Sequence, residues 1–465
     1  MTEGSGNCTS IINLTYQAGS EGSPSNPAKF SNQDYTQLKN TYLRKRKLFV
    51  DSTFPPNNRS LGDLPDISSW REAQVEWLRP AHWKKGVCLC HSPGNCWFLA
   101  AVSSLTFHKN LMVQVVPMEQ SFNRNAGIFH FRFWRFGKWV DVVIDDYLPT
   151  LDNSLLSVRS KSGNEFWVPL LEKAYAKVCG SYADMNAGLP SEAFLDFSGG
   201  VSMIYRLREE HGVGHDEQLW LSLKRATGCD SMICCGTAPK GLVNTVAHTG
   251  LVDAHAYSVT GVTEVSYYGS KVKLVRVMNP WGKQEWNGKW SDGSKVWNSV
   301  SAADREKCRK SDNGEFWIEL GDFCYYFVSL FICCENPNFI DGDLSCQWKC
   351  QIYEGSWVAG TSAGGNVNEC EQNFLLCQPI AVFVASFSLY VSRHEKSAPK
   401  GRLGRSFFRT NPTVKDGQKY FYDRNVTEFH SLEPGDYVVI PSTMKPYMNS
   451  EFILTVFSKA ETKIK

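Results

Sequence analysis

Leu170, Leu171, Ala174, Tyr175 and Val178 recur at steps of three and four, and Gly180 follows them. That spacing predicts a helix over residues 165–178 closed by a glycine. A second apolar run at helical spacing, Trp97, Leu99, Ala100, Val102 and Leu105, predicts a buried helix entered from a Gly94-Asn95 loop. Between the two, Phe129, Phe131 and Phe133 alternate with His130, Arg132 and Trp134. Phe136-Gly137-Lys138 turns the chain and Val140, Val142 and Ile144 bring it back, the pattern of a hairpin. Tyr35, Leu38, Tyr42 and Leu43 mark a short helix within 31–50. Beyond Gly199-Gly200 a helix near 216–226 is followed by β-rich segments at 255–260, 271–277, 316–318 and 327–333, with two alternating faces at 271–277. A mostly helical lobe is therefore expected first, and a sheet lobe second, ending near Glu335-Asn336-Pro337. From residue 340 short alternating runs at 381–384, 437–440 and 452–457 are split by Gly and Pro, which predicts a β-sandwich. The Gly-, Ser-, Asn- and Thr-rich start reads as a disordered tail. The fold class is α+β, with a tail at 1–30, an N-terminal helix and linker at 31–60, a first lobe at 61–190, a second at 191–337 and the sandwich at 338–465.

At 465 residues the chain exceeds what one core accommodates. A formal net charge of +2 gives no electrostatic case for nucleic acid and leaves at most weak membrane association. The run Arg44-Lys45-Arg46-Lys47 reads as a solvated face. The 16 cysteines include the adjacent pairs Cys234-Cys235 and Cys333-Cys334, unlike a disulfide framework. The first residues lack a basic segment followed by an apolar one, and no run of about 18 apolar residues occurs. Free thiols in a reducing, cytoplasmic setting are expected, and the sequons at Asn7, Asn13, Asn58 and Asn425 are then chance matches.

Cys96 stands at the first turn of its predicted helix, where unpaired N–H groups favour a thiolate, the nucleophilic form. His255 lies 159 residues later at the opening of an apolar strand, and Asn279 a further 24 along at the end of another. Pro280 keeps Asn279 extended, and Trp281 is placed to cover an Asn–His hydrogen bond. A papain-type cysteine protease needs a thiolate at a helix start, a histidine to pair with it and an Asn or Asp to hold that histidine. Each residue alone is more often an ordinary core residue. Their order, and their division between a helical and a sheet lobe, favour catalysis. Reading Cys88, Cys90, His91 and Cys96 as a zinc cluster fits poorly, since one residue separates the first two cysteines.

Gly94-Asn95-Cys96-Trp97-Phe98-Leu99-Ala100-Ala101, His255-Ala256-Tyr257-Ser258 and Asn279-Pro280-Trp281-Gly282 resemble the calpains, calcium-dependent intracellular cysteine proteases. Leu171-Glu172-Lys173-Ala174-Tyr175-Ala176-Lys177, Gly314-Glu315-Phe316-Trp317, Thr361-Ser362-Ala363-Gly364-Gly365 and Glu433-Pro434-Gly435-Asp436-Tyr437 belong to the same pattern. The resemblance implies a papain-like two-lobed protease core followed by a C2-like β-sandwich. It implies Ca²⁺ as cofactor, bound in each lobe and rotating the lobes until the triad assembles. In the second lobe the implied ligands are Glu285, Asp292, Asn313 and the carbonyls of Ser311 and Glu315, with Asn313 standing where the family usually has Asp. In the first lobe the implied carboxylate is Glu165, and the family's partner Asp falls on Val87.

The resemblance also places Cys90 at the Gln that donates to the oxyanion, and loss of such a donor costs about 10²–10³ in rate. Ala254 replaces a family glycine before the histidine, and Gly188 matches a glycine that approaches substrate. No Asp-x-Asp-x-Asp-Gly loop closed by Glu occurs, so neither an EF-hand domain nor its small-subunit partner is expected. The sandwich carries a basic stretch at 393–405 where the family has an acidic loop. The expected function is calcium-activated limited proteolysis of protein substrates. The alternative, motivated by Cys90, is a catalytically impaired calpain-like scaffold.

Overall fold

In the computed structural model the described residues are 12–14, 19–64, 67–80, 94–123, 126–152, 154–156, 158, 165–207, 215–239, 245–308, 313–346, 348–358, 385–392, 411, 413–414, 424–443 and 449–460. The chain divides into two units, Ala18–Cys346 and a smaller one made of Met1–Gln17 with Gln347–Lys465. Strand β1 (Ile12–Leu14) belongs to the smaller unit.

The larger unit opens with β2 (Ala28–Lys29), parallel to residues 140–141. Asp34 caps α1 (Tyr35–Lys45) by accepting from the Gln37 N–H at 2.8 Å, and Arg44 and Lys45 fall in its last turn, where cations suit the helix dipole. The basic run is thus an exposed helix end. Single-turn helices α2 (Asn58–Leu61) and α3 (Ser69–Glu72) lead to β3 (Glu76–Leu78). Helices α4 (Cys96–Leu105) and α5 (Lys109–Val115) follow. Strands β4 (Ile128–Arg135) and β5 (Lys138–Asp145) form the expected hairpin, with Phe136 and Gly137 at φ 48° and 77°, the two left-handed residues a two-residue turn needs. Strand β6 (Leu148–Leu151) pairs with β3 and β7 (Ser154–Leu155). The expected long helix is α6 (Trp167–Cys179), stopped at Gly180. Helix α7 (Pro190–Ser198) begins with proline, its Glu192 carboxylate accepts from the Leu189 N–H at 3.1 Å, and Gly199 ends it at φ 65°.

A six-stranded antiparallel sheet forms the rest of this unit. Its members are β8 (Val201–Arg206), β9 (Met232–Thr237), β10 (Ala256–Tyr267), β11 (Ser270–Met278), β12 (Glu315–Glu319) and β13 (Phe327–Cys334), ordered β12-β11-β10-β9-β13-β8. Helices α8 (His215–Gly228), α9 (Ala302–Lys307) and α10 (Leu320–Tyr326) lie between strands in sequence. The main apolar core joins Phe98, Ala101 and Leu105 of α4 to Phe133, Tyr175, Phe194 and Phe197, and takes in Cys234 and Ala256 of the sheet. Each such large side chain contributes about 1.5–3 kcal/mol when fully buried.

In the smaller unit β14 (Lys349–Trp357) lies between β1 and β17 (Ser450–Ser458), and β15 (Ala385–Ser392) pairs with β16 (Asp436–Thr443). All these pairs are antiparallel. The Trp357 indole N–H donates to the Pro441 carbonyl at 3.2 Å, linking the two sheets.

Three boundaries differ from expectation. Within 1–30, Ile12–Leu14 pairs with the edge of β14 and Ala28–Lys29 with β5, because strand pairing supplies order that composition does not. The expected lobe boundary at 190/191 cuts into helix α7, which buries Phe194 and Phe197 in the α4 core. Residues 338–346 belong with the larger unit, where the Arg225 guanidinium of α8 holds the Ile340 carbonyl at 2.7 Å. Residues 381–384, the 361–365 motif and the basic stretch at 393–405 lie outside the described residues. No helix among the described residues is long and apolar enough to cross a membrane, and the described cysteines are free thiols.

Candidate active site

Cys96 is the first residue of α4, half-buried, following Asn95. Segment 94–97 is held from below by 185–188. The Ala187 N–H donates to the Gly94 carbonyl at 3.0 Å and the Trp97 indole N–H to the Met185 carbonyl at 2.9 Å. Gly94 has φ 78° and leaves no room for a side chain, since a Cβ there would overlap Asn186 Oδ1. Gly188, expected beside substrate, lies against the Trp97 ring, where an added Cβ would stand 2.5 Å from Cε2. Helix α4 packs on β9 and β10, and the Ser258 hydroxyl donates to the Ala100 carbonyl at 2.9 Å, so the helix start faces the start of β10.

His255 immediately precedes β10. Its backbone is fixed by Thr237: the His255 N–H donates to Oγ1 at 3.0 Å, and the Thr237 N–H donates to the His255 carbonyl at 3.0 Å. The ring is 2% exposed and meets the Trp281 ring at 4.3 Å and the Tyr257 ring at 4.9 Å between centroids. His255 Nε2 lies 2.9 Å from Asn279 Oδ1. The Asn279 amide NH₂ donates to the carbonyls of Lys283 at 2.6 Å and Gln284 at 3.1 Å, so its oxygen must face the histidine. That oxygen also accepts from the Trp281 N–H at 3.1 Å. Nε2 therefore carries the hydrogen, and Nδ1 presents a lone pair. Nδ1 is buried and has no hydrogen-bond partner among the described residues.

Burial holds the His255 imidazole at about 4, against the small upward pull of Asn279. Burial also pushes the Cys96 thiol above its ordinary range, against the N–H groups of Ala256, Trp97 and Cys96 itself. The thiolate expected at the helix start is therefore overridden: without an imidazolium beside it, desolvation outweighs the helix field. The arrangement is a neutral thiol beside the start of β10 and a neutral imidazole whose basic nitrogen is bare. Ala254 adopts φ 50°, a left-handed conformation that disfavours any residue with a Cβ.

Of the expected calcium ligands, Glu285 and the 313–315 segment come together. The Glu285 carboxylate accepts from the Gly314 N–H at 2.8 Å, and Asn313 Oδ1 accepts from the Glu315 N–H at 3.0 Å. The buried Glu315 carboxylate binds Arg276 and the Thr260 hydroxyl, which leaves its backbone carbonyl as the group to consider. These are all hard oxygen donors, the chemistry a calcium ion takes. Asp292 is half-buried in a neighbouring loop, and Glu165 is exposed just before α6. No three His, Cys, Asp or Glu side chains gather into a metal site among the described residues. Cys90 and Ser311 lie outside the described residues.

A profile for "Calpain family cysteine protease" matches residues 49–334, and one for "Calpain large subunit, domain III" matches residues 376–457. The calpain-1 catalytic subunit of Sus scrofa is 36% identical over 494 aligned positions, covering 94% of this chain and 68% of that protein. Its counterpart from Homo sapiens is 37% identical with the same coverage, and that from Gallus gallus is 35% identical over 95% of this chain and 69% of that one. The chain belongs to the calpain family. Its first lobe also contains a buried polar network that hydrophobic spacing did not reveal. In this calpain Lys173 binds Asp145 and the Tyr147 carbonyl, and Lys177 binds Asp51 at 2.7 Å, Gln33 and the Val143 carbonyl. Glu172 accepts from the side chain of Asn95, the residue before Cys96. The available signal was the presence of Glu172, Lys173 and Lys177 amid the apolar residues of one helix.

Proposed function

We propose that this calpain is a calcium-activated cytoplasmic cysteine endopeptidase that makes limited cuts in protein substrates. The His255–Asn279 pair carries the reading: the amide locks the imidazole tautomer and leaves Nδ1 bare at the strand whose Ala256 N–H acts on Cys96. Once the sulfur reaches Nδ1, the imidazole removes the thiol proton and Cys96 attacks the scissile carbonyl. His255 then returns that proton to the leaving amine, and water hydrolyses the thioester with His255 again as base. Asn279 holds the ring through both steps, and Trp281 shields the Asn–His bond from water. The Cys96 N–H is one oxyanion donor, and position 90 is where a second would act.

Glu285, Asp292 and Asn313, with the carbonyls of Ser311 and Glu315, would hold calcium in the second lobe, and Glu165 is the first-lobe candidate. A bound cation supplies positive charge that draws these oxygen-bearing loops together. The smaller unit, with its two antiparallel sheets, is read as a C2-like sandwich. Incubation of an unstructured protein substrate with the full chain and calcium tests the function, with Cys96→Ser and a chelator as controls. A few discrete fragments, absent from both controls, are expected. A folded chain that cuts nothing at any calcium concentration would refute proteolysis and leave the scaffold reading.

A further inference from the structure

We propose that Glu172 is a positioning residue for the nucleophile: its buried carboxylate fixes the Asn95 side chain and thereby the segment that carries Cys96. This rests on the reading of Cys96 as nucleophile. Contacts from 185–188 hold Gly94 and Trp97, the two ends of segment 94–97. Between those ends, Asn95 occupies the cap position of α4 at φ −103° and ψ 13°, yet its side chain makes no capping bond to its own helix. An asparagine there ordinarily caps. Here its amide N–H donates across to Glu172 of α6. Asn95 is 5% exposed and Glu172 1%.

The second Glu172 oxygen accepts from the Val158 N–H at 3.3 Å. Bonds to a buried carboxylate are charge-assisted and roughly twice as strong as neutral ones. The helix beneath Glu172 is itself prevented from turning. Lys173 is tied to Asp145 and the Tyr147 carbonyl, and Lys177 to Asp51, Gln33 and the Val143 carbonyl. A continuous buried path thus runs from Asp51 through α6 and Glu172 to Asn95 and the nucleophile. The consequence is geometric. Cys96 must present its sulfur to His255 Nδ1, and a displacement of about 1 Å at such a site costs about 10²-fold in rate.

The test compares wild type with Glu172→Ala, Glu172→Gln, Asn95→Ala and the Asn95→Ala/Glu172→Ala double variant. Turnover of a peptide substrate with calcium is measured, together with the second-order rate of iodoacetamide on Cys96. Glu172→Ala is expected to lower kcat about 10²-fold with KM changed less than about twofold. Glu172→Gln keeps an acceptor oxygen for Asn95 and should recover kcat to within about tenfold of wild type. Asn95→Ala should match Glu172→Ala, and the double variant should be no worse than either, because both remove one interaction. Wild-type kcat in Glu172→Ala, multiplying effects in the double variant, or equal losses in Ala and Gln with a parallel rise in KM would each overturn the proposal. If Glu172→Ala fails to fold, Glu172→Gln and Asn95→Ala carry the comparison. If wild type cleaves nothing, proteolysis fails on its own account. The alkylation rates then decide, and identical rates in all variants overturn the positioning role.

Discussion

Replacing His255 by Gln should remove a specific acid sensitivity from this protein. The imidazole is 2% exposed, and burial holds it at about 4 instead of the ordinary 6.5. Between those values the unfolded chain takes up a proton that the folded chain refuses. Stability from this group is therefore fully present above about 6.5 and falls as pH drops towards 4. At about 1.4 kcal/mol per pH unit the interval corresponds to about 3 kcal/mol, of which about 2 kcal/mol is lost by pH 5. Glutamine does not titrate, so the stability difference between wild type and His255→Gln isolates this contribution from all other acid-sensitive groups. Urea unfolding of both proteins at pH 7.5, 6, 5 and 4.5, followed by tryptophan fluorescence, measures it. Wild type should lose its advantage progressively on acidification. A difference constant within about 0.5 kcal/mol, or a variant more acid-sensitive than wild type, would refute a buried neutral imidazole.

Asp51→Asn should cost about 3–5 kcal/mol, because Lys177 is 2% exposed and loses its carboxylate partner; adding Lys177→Met should restore most of that in the same urea assay. Ala254→Gly should raise stability by about 1 kcal/mol by relieving the left-handed φ of 50°, and an unchanged urea midpoint would argue against that conformation. Gly188→Ala should cost about 1–3 kcal/mol, because its Cβ would stand 2.5 Å from Trp97 Cε2, and it should shift tryptophan emission as the indole leaves the Met185 carbonyl.

Local patterns carried much of the fold. The β4–β5 hairpin was legible because its Phe/Val alternation and Phe136-Gly137 turn lie within 18 residues of chain. Helix α6 was legible from one apolar face and Gly180. Strand β9 was missed: Met232-Ile233-Cys234-Cys235 is buried on both faces, so it shows no alternation. Helix α7 was missed because nine residues crossing a core give too short a period, and β1 because its partner is more than 300 residues away. At the candidate site the Cys, His and Asn types and their order were visible. The protonation was not, since it depends on burial. The Asn95–Glu172 bond spans 77 residues and leaves no periodic trace.

The rate at which iodoacetamide alkylates Cys96 at pH 6, with and without calcium, tests most directly whether thiol and imidazole are apart at rest and brought together by the cation. Burial holds the thiol above its ordinary range, so at pH 6 less than about 1% is thiolate until an imidazolium pairs with it, and alkylation without calcium should be slow. With calcium, pairing to imidazolium should lower the thiol towards the range of about 3–4 seen for histidine-paired catalytic cysteines and speed alkylation by about 10²-fold. Peptide mapping should place the added mass on Cys96. Rapid alkylation without calcium, or the same slow rate with it, would contradict the closing of the Cys96–His255 pair.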